Sequence, residues 1–193
     1  PPRPHPPLSR RQKILIGVGA ALFLSCGGAP VTQVGQSTSP PAAESGPGAS
    51  KGTPAPVGTE VSPAKGWAIT VTAPATDATA EIVAANQFNR PKVAANRLYS
   101  VPVSIRNGSD RPGMAMTEMK VGALPPNGVR VDQVASVAGY PTIEATAQLQ
   151  PGAVVTGNMV FELDPTTFGQ TTLLVEPQFT LDTNADQRFL ALQ

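Results

Sequence analysis

Few side chains in this 193-residue sequence have types and spacing that could do chemistry, and they are quickly surveyed. There is one cysteine, Cys26, and one histidine, His5. A nucleophilic triad needs a Ser or Cys activated by a base within hydrogen-bond reach. A Ser–Lys pair would have to draw on Lys51, Lys65, Lys92 or Lys120, none of which sits in a recognisable motif. Glycoside chemistry needs two facing carboxylates. Glu118, Glu144, Glu162 and Asp164 are scattered and read as solvent-facing strand and turn residues. Asp182-Thr183-Asn184-Ala185-Asp186 approaches a calcium loop but lacks its glycine and closing glutamate, so it reads as a turn. No Gly-rich loop opens a helix, which leaves a phosphate cradle unsupported. One stretch keeps a chemical alternative open: Met114-Ala115-Met116. Thioethers are soft ligands suited to Cu(I), and an M-x-M pair on a strand projects both sulfurs from one face. Met119 would point to the other face. Methionine also fills irregular core gaps, so packing is the first reading and a Cu(I) site at Met114 and Met116 the alternative.

Cys26 closes the apolar run Ile14–Leu24, which follows Arg3, Arg10, Arg11 and Lys13. The run is about half the ~20 residues a helix needs to cross a hydrocarbon core. A basic segment, a short apolar segment and then small residues form the pattern of an export signal, here residues 1–25. Gly27-Gly28-Ala29-Pro30 stops regular structure directly afterwards, which excludes a buried core helix. The junction Phe23-Leu24-Ser25-Cys26-Gly27 resembles the bacterial lipobox, departing from it at Phe23 and in the bulk of Leu24. The resemblance implies cleavage between Ser25 and Cys26 and a diacylglyceryl (palmitate-type) thioether on Cys26. Two acyl chains hold a protein on a membrane where one holds it only marginally. The expected localisation is therefore the extracytoplasmic face of a cell membrane, with the lipid on Cys26 as anchor.

Removal of the signal takes away His5 and the four basic residues before Cys26, leaving ten basic against thirteen acidic residues. Without an imidazole or a free thiol, Ser–His and Cys–His catalysis is excluded from the mature chain. No run of Lys/Arg remains for nucleic acid, and no polybasic patch supplements the lipid. From residue 26 to 64 the sequence is rich in Gly, Pro, Ser, Thr and Ala, as in Ser39-Pro40-Pro41-Ala42-Ala43. Such a tract buries too little apolar surface to offset ordering entropy, and reads as a disordered tether.

Residues 65–193 read as short strands. Trp67–Thr72 alternates, with Trp67, Ile69 and Val71 on one face, and Tyr99–Arg106 alternates again before the turn Asn107-Gly108-Ser109-Asp110. Pro102 has no N–H and must face an edge or a bulge. Met116–Leu124 and Gly128–Val134 read as two strands, followed by the turn Leu149-Gln150-Pro151-Gly152 and the strand Val155–Leu163, in which Gly157 lets a facing chain approach. Thr171–Val175 and Arg188–Leu192 complete about seven strands, and helix signals are poor except for a turn near Asp164–Phe168. The expectation is an all-β, antiparallel two-sheet immunoglobulin-like sandwich, with an OB-type or other small barrel as the alternative.

The succession Gly66-Trp67, Tyr99-x-Val101-x-Val103-x-Ile105-Arg106-Asn107 and Leu149-x-Pro151-Gly152, with Gly157 and Phe161-Glu162 beyond it, resembles a family over roughly residues 65–180. That family is the telokin-like, immunoglobulin-like domain of uncharacterised actinobacterial and Firmicute lipoproteins, related in fold to a small secreted mycobacterial antigen. The resemblance implies a fold and a cell-surface setting. The expected function is a lipid-anchored binding or adaptor module with no catalysis and no cofactor. Its partners would be the membrane and a second extracytoplasmic protein, met through Asn107–Gly113 and Val134–Glu144 at one end of the sandwich.

Overall fold

The computed structural model describes residues 46–135, 137–179 and 186–193. The signal 1–25, the junction Ser25–Cys26, the tether up to residue 45 and most of Asp182–Asp186 lie outside the described residues. In chain order the elements are β1 (Val61–Ala64), β2 (Trp67–Val71), β3 (Thr76–Asp77), α1 (Thr79–Ala85), β4 (Arg97–Asn107), β5 (Gly113–Met114) and the one-turn α2 (Ala115–Glu118). They continue with β6 (Met119–Leu124), β7 (Val131–Asp132), β8 (Gln148–Leu149), β9 (Val154–Leu163), a 3-10 turn (Phe168–Gln170), β10 (Thr172–Pro177) and β11 (Arg188–Ala191).

The longest alternating stretch becomes the spine. β4 pairs with β9 from Arg97↔Leu163 to Arg106↔Val154, and on its other side with β2 and β3 in succession. β1 adds to β2 and completes the first sheet, while β11-β10-β6-β7 forms the second. All these pairings are antiparallel, and the chain is an all-β sandwich. Because side chains alternate along a strand, the odd-numbered Tyr99, Val101, Val103 and Ile105 of β4 share the buried core with Met159, Phe161 and Leu163 of β9. Leu173 and Val175 of β10 and Leu190 of β11 close it from the opposite sheet. The ring of Phe168 stacks on Tyr99 at 3.8 Å between centroids, which seals the end of the core.

Pro102 sits inside the spine rather than on an edge strand, yet its missing N–H costs nothing. Its carbonyl accepts from Thr72 N at 2.9 Å, so its backbone faces the gap where β2 has ended and β3 has not begun. In a strand, N–H and C=O of one residue point the same way, and only there is a ladder donor not required.

Several elements depart from the sequence expectation. α1 is unforeseen: its Ala-rich turn buries Ile82 against Leu98 and Val160 on the outer face of the first sheet. That covers the even-numbered face of β4 and β9, which the alternation alone leaves to solvent. Met116–Leu124 begins as the helical turn α2, not as strand, and Gly128–Val134 contracts to the two residues of β7.

The largest correction concerns the tether. From Gly46 onward it is folded. Ala55 N donates to Phe189 O and Ala55 O accepts from Ala191 N, both at 2.8 Å, in a parallel bridge to Leu190 along the outer edge of β11. Phe189 N donates to Gly48 O at 2.8 Å, and Lys51 Nζ donates to Pro125 O at 3.0 Å. Ala55 is 1% exposed. A sequence poor in large side chains orders here because an open strand edge supplies hydrogen-bond partners, which composition does not register.

Candidate binding groove

The second sheet stops short on its β7 side. Beyond the two residues of β7 the pairing with β6 ends, and residues 133–135 and 137–146 continue along β9. Val134 N donates to Val160 O at 2.8 Å and Ile143 N to Asn158 O at 2.9 Å, and Asn158 Nδ2 holds Pro141 O at 2.8 Å. Gly157 makes this approach feasible. A Cβ there would stand 2.6 Å from Ile143 Cα, closer than atoms can pack. The outer part of this stretch is pinned by Tyr140, whose hydroxyl lies 2.9 Å from Ser100 Oγ.

Between this stretch and β6 a groove of about 750 Å³ opens into the sandwich. Its floor is core: Ile105, Met119, Ile143 and Met159, each at most 6% exposed. Its rim carries Lys120, Asp132, Glu144, Thr142, Thr146 and Gln178. An apolar floor with a few polar groups at the mouth is the composition of small-ligand sites, and the volume falls within their usual range of roughly 300–1,000 Å³. A second groove of about 950 Å³ lies by the β1–β2 turn, between Lys65-Gly66-Trp67 and the turn Gly108–Arg111. It is larger but more polar, and it borders Phe179 and Asp186, which flank residues outside the description.

The two loops expected to form one contact surface therefore part company. Asn107–Gly113 borders the polar groove where β4 ends, whereas Val134–Glu144 runs along the middle of β9 beside the apolar groove. The methionines are also redistributed. Met114 ends β5 and Met116 stands on α2, because the chain turns between them and Thr117 Oγ1 closes that turn on Met114 O at 2.9 Å. The pair is not on one strand. Met116 instead lines the apolar groove with Met119 and Met159, and Met114 does not. The type of residue drew attention to this region, but the convergence of β6 and β9 was not readable from spacing.

Among the carboxylates, Glu162 is the clearest correction. It is not solvent-facing: its Oε1 accepts from Val93 N at 2.8 Å and Asn96 Nδ2 at 3.2 Å, and its Oε2 from Lys92 N at 3.0 Å. Burial pushes its carboxyl pKa up, but these donors and the nearby Lys92 charge outweigh burial, and the net shift is downward. Asp164 accepts from Thr166 N and Oγ1, whose hydrogen bonds lower its pKa, and so shapes the turn before the 3-10 segment. Glu118 borders the polar groove and Glu144 the apolar one. Among the described residues no group of three or more His, Cys, Asp or Glu side chains could hold a metal.

No protein-family model and no curated protein matches the sequence. Solved structures resemble the fold. A putative lipoprotein (ycdA) from Bacillus subtilis superposes with a TM-score of 0.48 at 12% identity, covering 68% of this chain and 37% of its own. The chain thus spans little more than a third of that protein. A conserved hypothetical protein from Bacillus anthracis gives 0.46 at 16% identity, with 70% and 94% of the two chains covered. An uncharacterised β-sandwich protein from Clostridium difficile gives 0.40 at 10% identity, covering 71% and 91%. Among the described residues no helix is long and apolar enough to cross a membrane.

Proposed function

We propose that the chain is a lipid-anchored, extracytoplasmic binding module of the telokin-like, immunoglobulin-like kind, with no catalysis of its own. Its ligand is a small, mostly apolar molecule received between the sheets. One observation carries the reading: a groove of about 750 Å³ whose floor is made of core residues rather than surface ones. A sandwich with no other use for that opening would be expected to fill it, since interiors pack close to crystal density. The anchor rests on the signal pattern and Cys26. Cys26→Ala should release the signal-cleaved protein from the membrane fraction, and retention there would remove the anchor.

The groove is tested separately with the apolar dye nile red. A saturable rise in emission is expected with the wild type and should vanish in Ala145→Trp, which places an indole in the opening. Absence of saturable binding sinks the groove reading while leaving the anchor intact. A second reading, Cu(I) handling, is favoured by Met116, Met119 and Met159 lining one groove. Anaerobic Cu(I) titration against a competing chelator, with Met116→Leu beside the wild type, decides it. Equal affinities would eliminate copper.

A further inference from the structure

Between α1 and β4 the chain makes a loop, residues 86–96, that is held from both legs. Asn86 Oδ1 accepts from Phe88 N at 3.0 Å, and Asn89 N donates to Asn86 O at 2.9 Å. The Asn89 side chain reaches inward, donating to Ile82 O at 3.1 Å and Ala138 O at 2.8 Å while accepting from Ala138 N at 3.2 Å. On the far leg, Glu162 takes the N–H groups of Lys92 and Val93, and Asn96 N donates to Val93 O at 3.0 Å. The polar side chains that fix the loop thus face the domain. What remains outward is Phe88, 84% exposed, Val93, 54% exposed, and the exposed cations Arg90 and Lys92.

A loop free to collapse would fold Phe88 onto the sandwich; this one keeps it in solvent. These residues border one surface hollow with Asp132 and Glu162. Both acids have partners: Asp132 pairs at 2.8 Å with Arg130, which also holds Glu176 at 2.9 Å, and Glu162 accepts from the loop's own backbone, with Lys92 near enough to help lower its pKa. Arg90 has no ion pair among the described residues. Apolar side chains beside an exposed arginine without a carboxylate partner, with the exposed Lys92 two residues on, match one surface in particular. Aromatic and aliphatic groups enter the boundary of acyl chains and headgroups, while Arg and Lys meet lipid phosphates.

We infer that the loop 86–96 is a docking element that seats the sandwich on an anionic phospholipid surface. This supplies a membrane contact that the scattered basic residues of the sequence do not announce. It agrees with the anchor reading, since folding from Gly46 leaves only about twenty residues after Cys26, a reach of no more than about 70 Å. It does not depend on that anchor, however, and is tested without it.

The test uses the chain from residue 26 onward, which retains every described residue, with Cys26→Ser so that no acyl group can carry it to lipid. It is sedimented with vesicles of equimolar phosphatidylglycerol and phosphatidylcholine, and with vesicles of phosphatidylcholine alone. Binding is expected to the anionic vesicles and to weaken with salt. Arg90→Gln with Lys92→Gln should weaken it roughly 25-fold, about five-fold per cation. Phe88→Ser should weaken it in both low and high salt. In a Phe88→Trp variant, the added emission should be quenched by lipids brominated near the headgroup end of the acyl chain. Equal urea midpoints for all variants establish that folding is unchanged. No binding to anionic vesicles, equal binding to both kinds, or no effect of the substitutions overturns the inference. An unquenched Phe88→Trp overturns it too, and would turn attention to a protein partner for the same surface.

Discussion

Asn107 Nδ2 lies 2.9 Å from the carbonyl oxygen of Leu149, joining two turns that are 42 residues apart. The same amide donates to Arg111 O at 2.9 Å, and its Oδ1 accepts from Ser109 N at 2.9 Å and Ser109 Oγ at 2.6 Å. Its backbone is engaged as well, with N donating to Ala153 O at 3.0 Å and O accepting from Gly152 N at 2.6 Å. The side chain is 0% exposed and fully satisfied. Asn107→Ala should therefore strand buried carbonyls and cost about 2–4 kcal/mol in urea unfolding. Asn107→Asp should cost about as much, because a carboxylate cannot donate to Leu149 O or Arg111 O. A loss below about 1 kcal/mol for both would show that the two turns hold without it.

Gly157→Ala should force the Ile143 stretch off β9. Overpacking at such a contact costs about 1–3 kcal/mol. Amide exchange should report the site of damage: the Ile143 N–H, bonded to Asn158 O at 2.9 Å, should lose protection while the β4–β9 ladder keeps its own. Uniform loss across both would mean the strain is not local.

Acid should release the 92–96 leg of the loop before the sandwich unfolds. The folded pKa of Glu162 lies below the ordinary carboxylate value. Its contribution is therefore complete above about pH 4.3 and is lost as pH falls through the folded-state value. Hydrogen exchange at Lys92 and Val93 should accelerate over that range. Glu162→Gln, whose amide accepts through only one oxygen, should exchange faster at neutral pH and show a flatter acid dependence.

Removing residues before Val61 should destabilise the domain, contrary to what a passive tether allows. The Gly48 and Ala55 backbone bonds to Phe189 and Ala191 number three, so about 3 kcal/mol is expected at ~1 kcal/mol each. The uncovered β11 edge should also promote self-association, visible by analytical ultracentrifugation. A chain starting at Val61 that matches the longer one in midpoint and in mass would refute this.

How much of this was legible varies by element, and the variation has a physical pattern. β2, β4 and β9 carry a strong period-2 alternation of large apolar residues in sequence, and they appear within two residues of their expected bounds. Gly157 was readable as a close approach because only the absence of Cβ suits that contact. α1 escaped detection because its seven residues bury only Ile82, too little for a helical period to show. The folded stretch Gly46–Ala64 escaped because edge hydrogen bonding uses the backbone, which every composition shares. Glu162 looked like an ordinary outward strand residue, since the N–H groups it binds come from a loop some seventy positions earlier.

By itself, then, the sequence determined the all-β class, the main strands and their inward faces, because alternation is a local property written residue by residue. It also set the scarcity of cysteine and histidine, one of each in 193 residues. Only tertiary structure decided which strand edges stay open and which loops cover them. It is that choice which brings Met119 of β6 and Met159 of β9 to one groove, and holds Phe88 out in solvent beside Arg90. The first depends on how strands pair and the second on Asn89 and Glu162 holding the loop, relations between distant segments that no window of sequence contains.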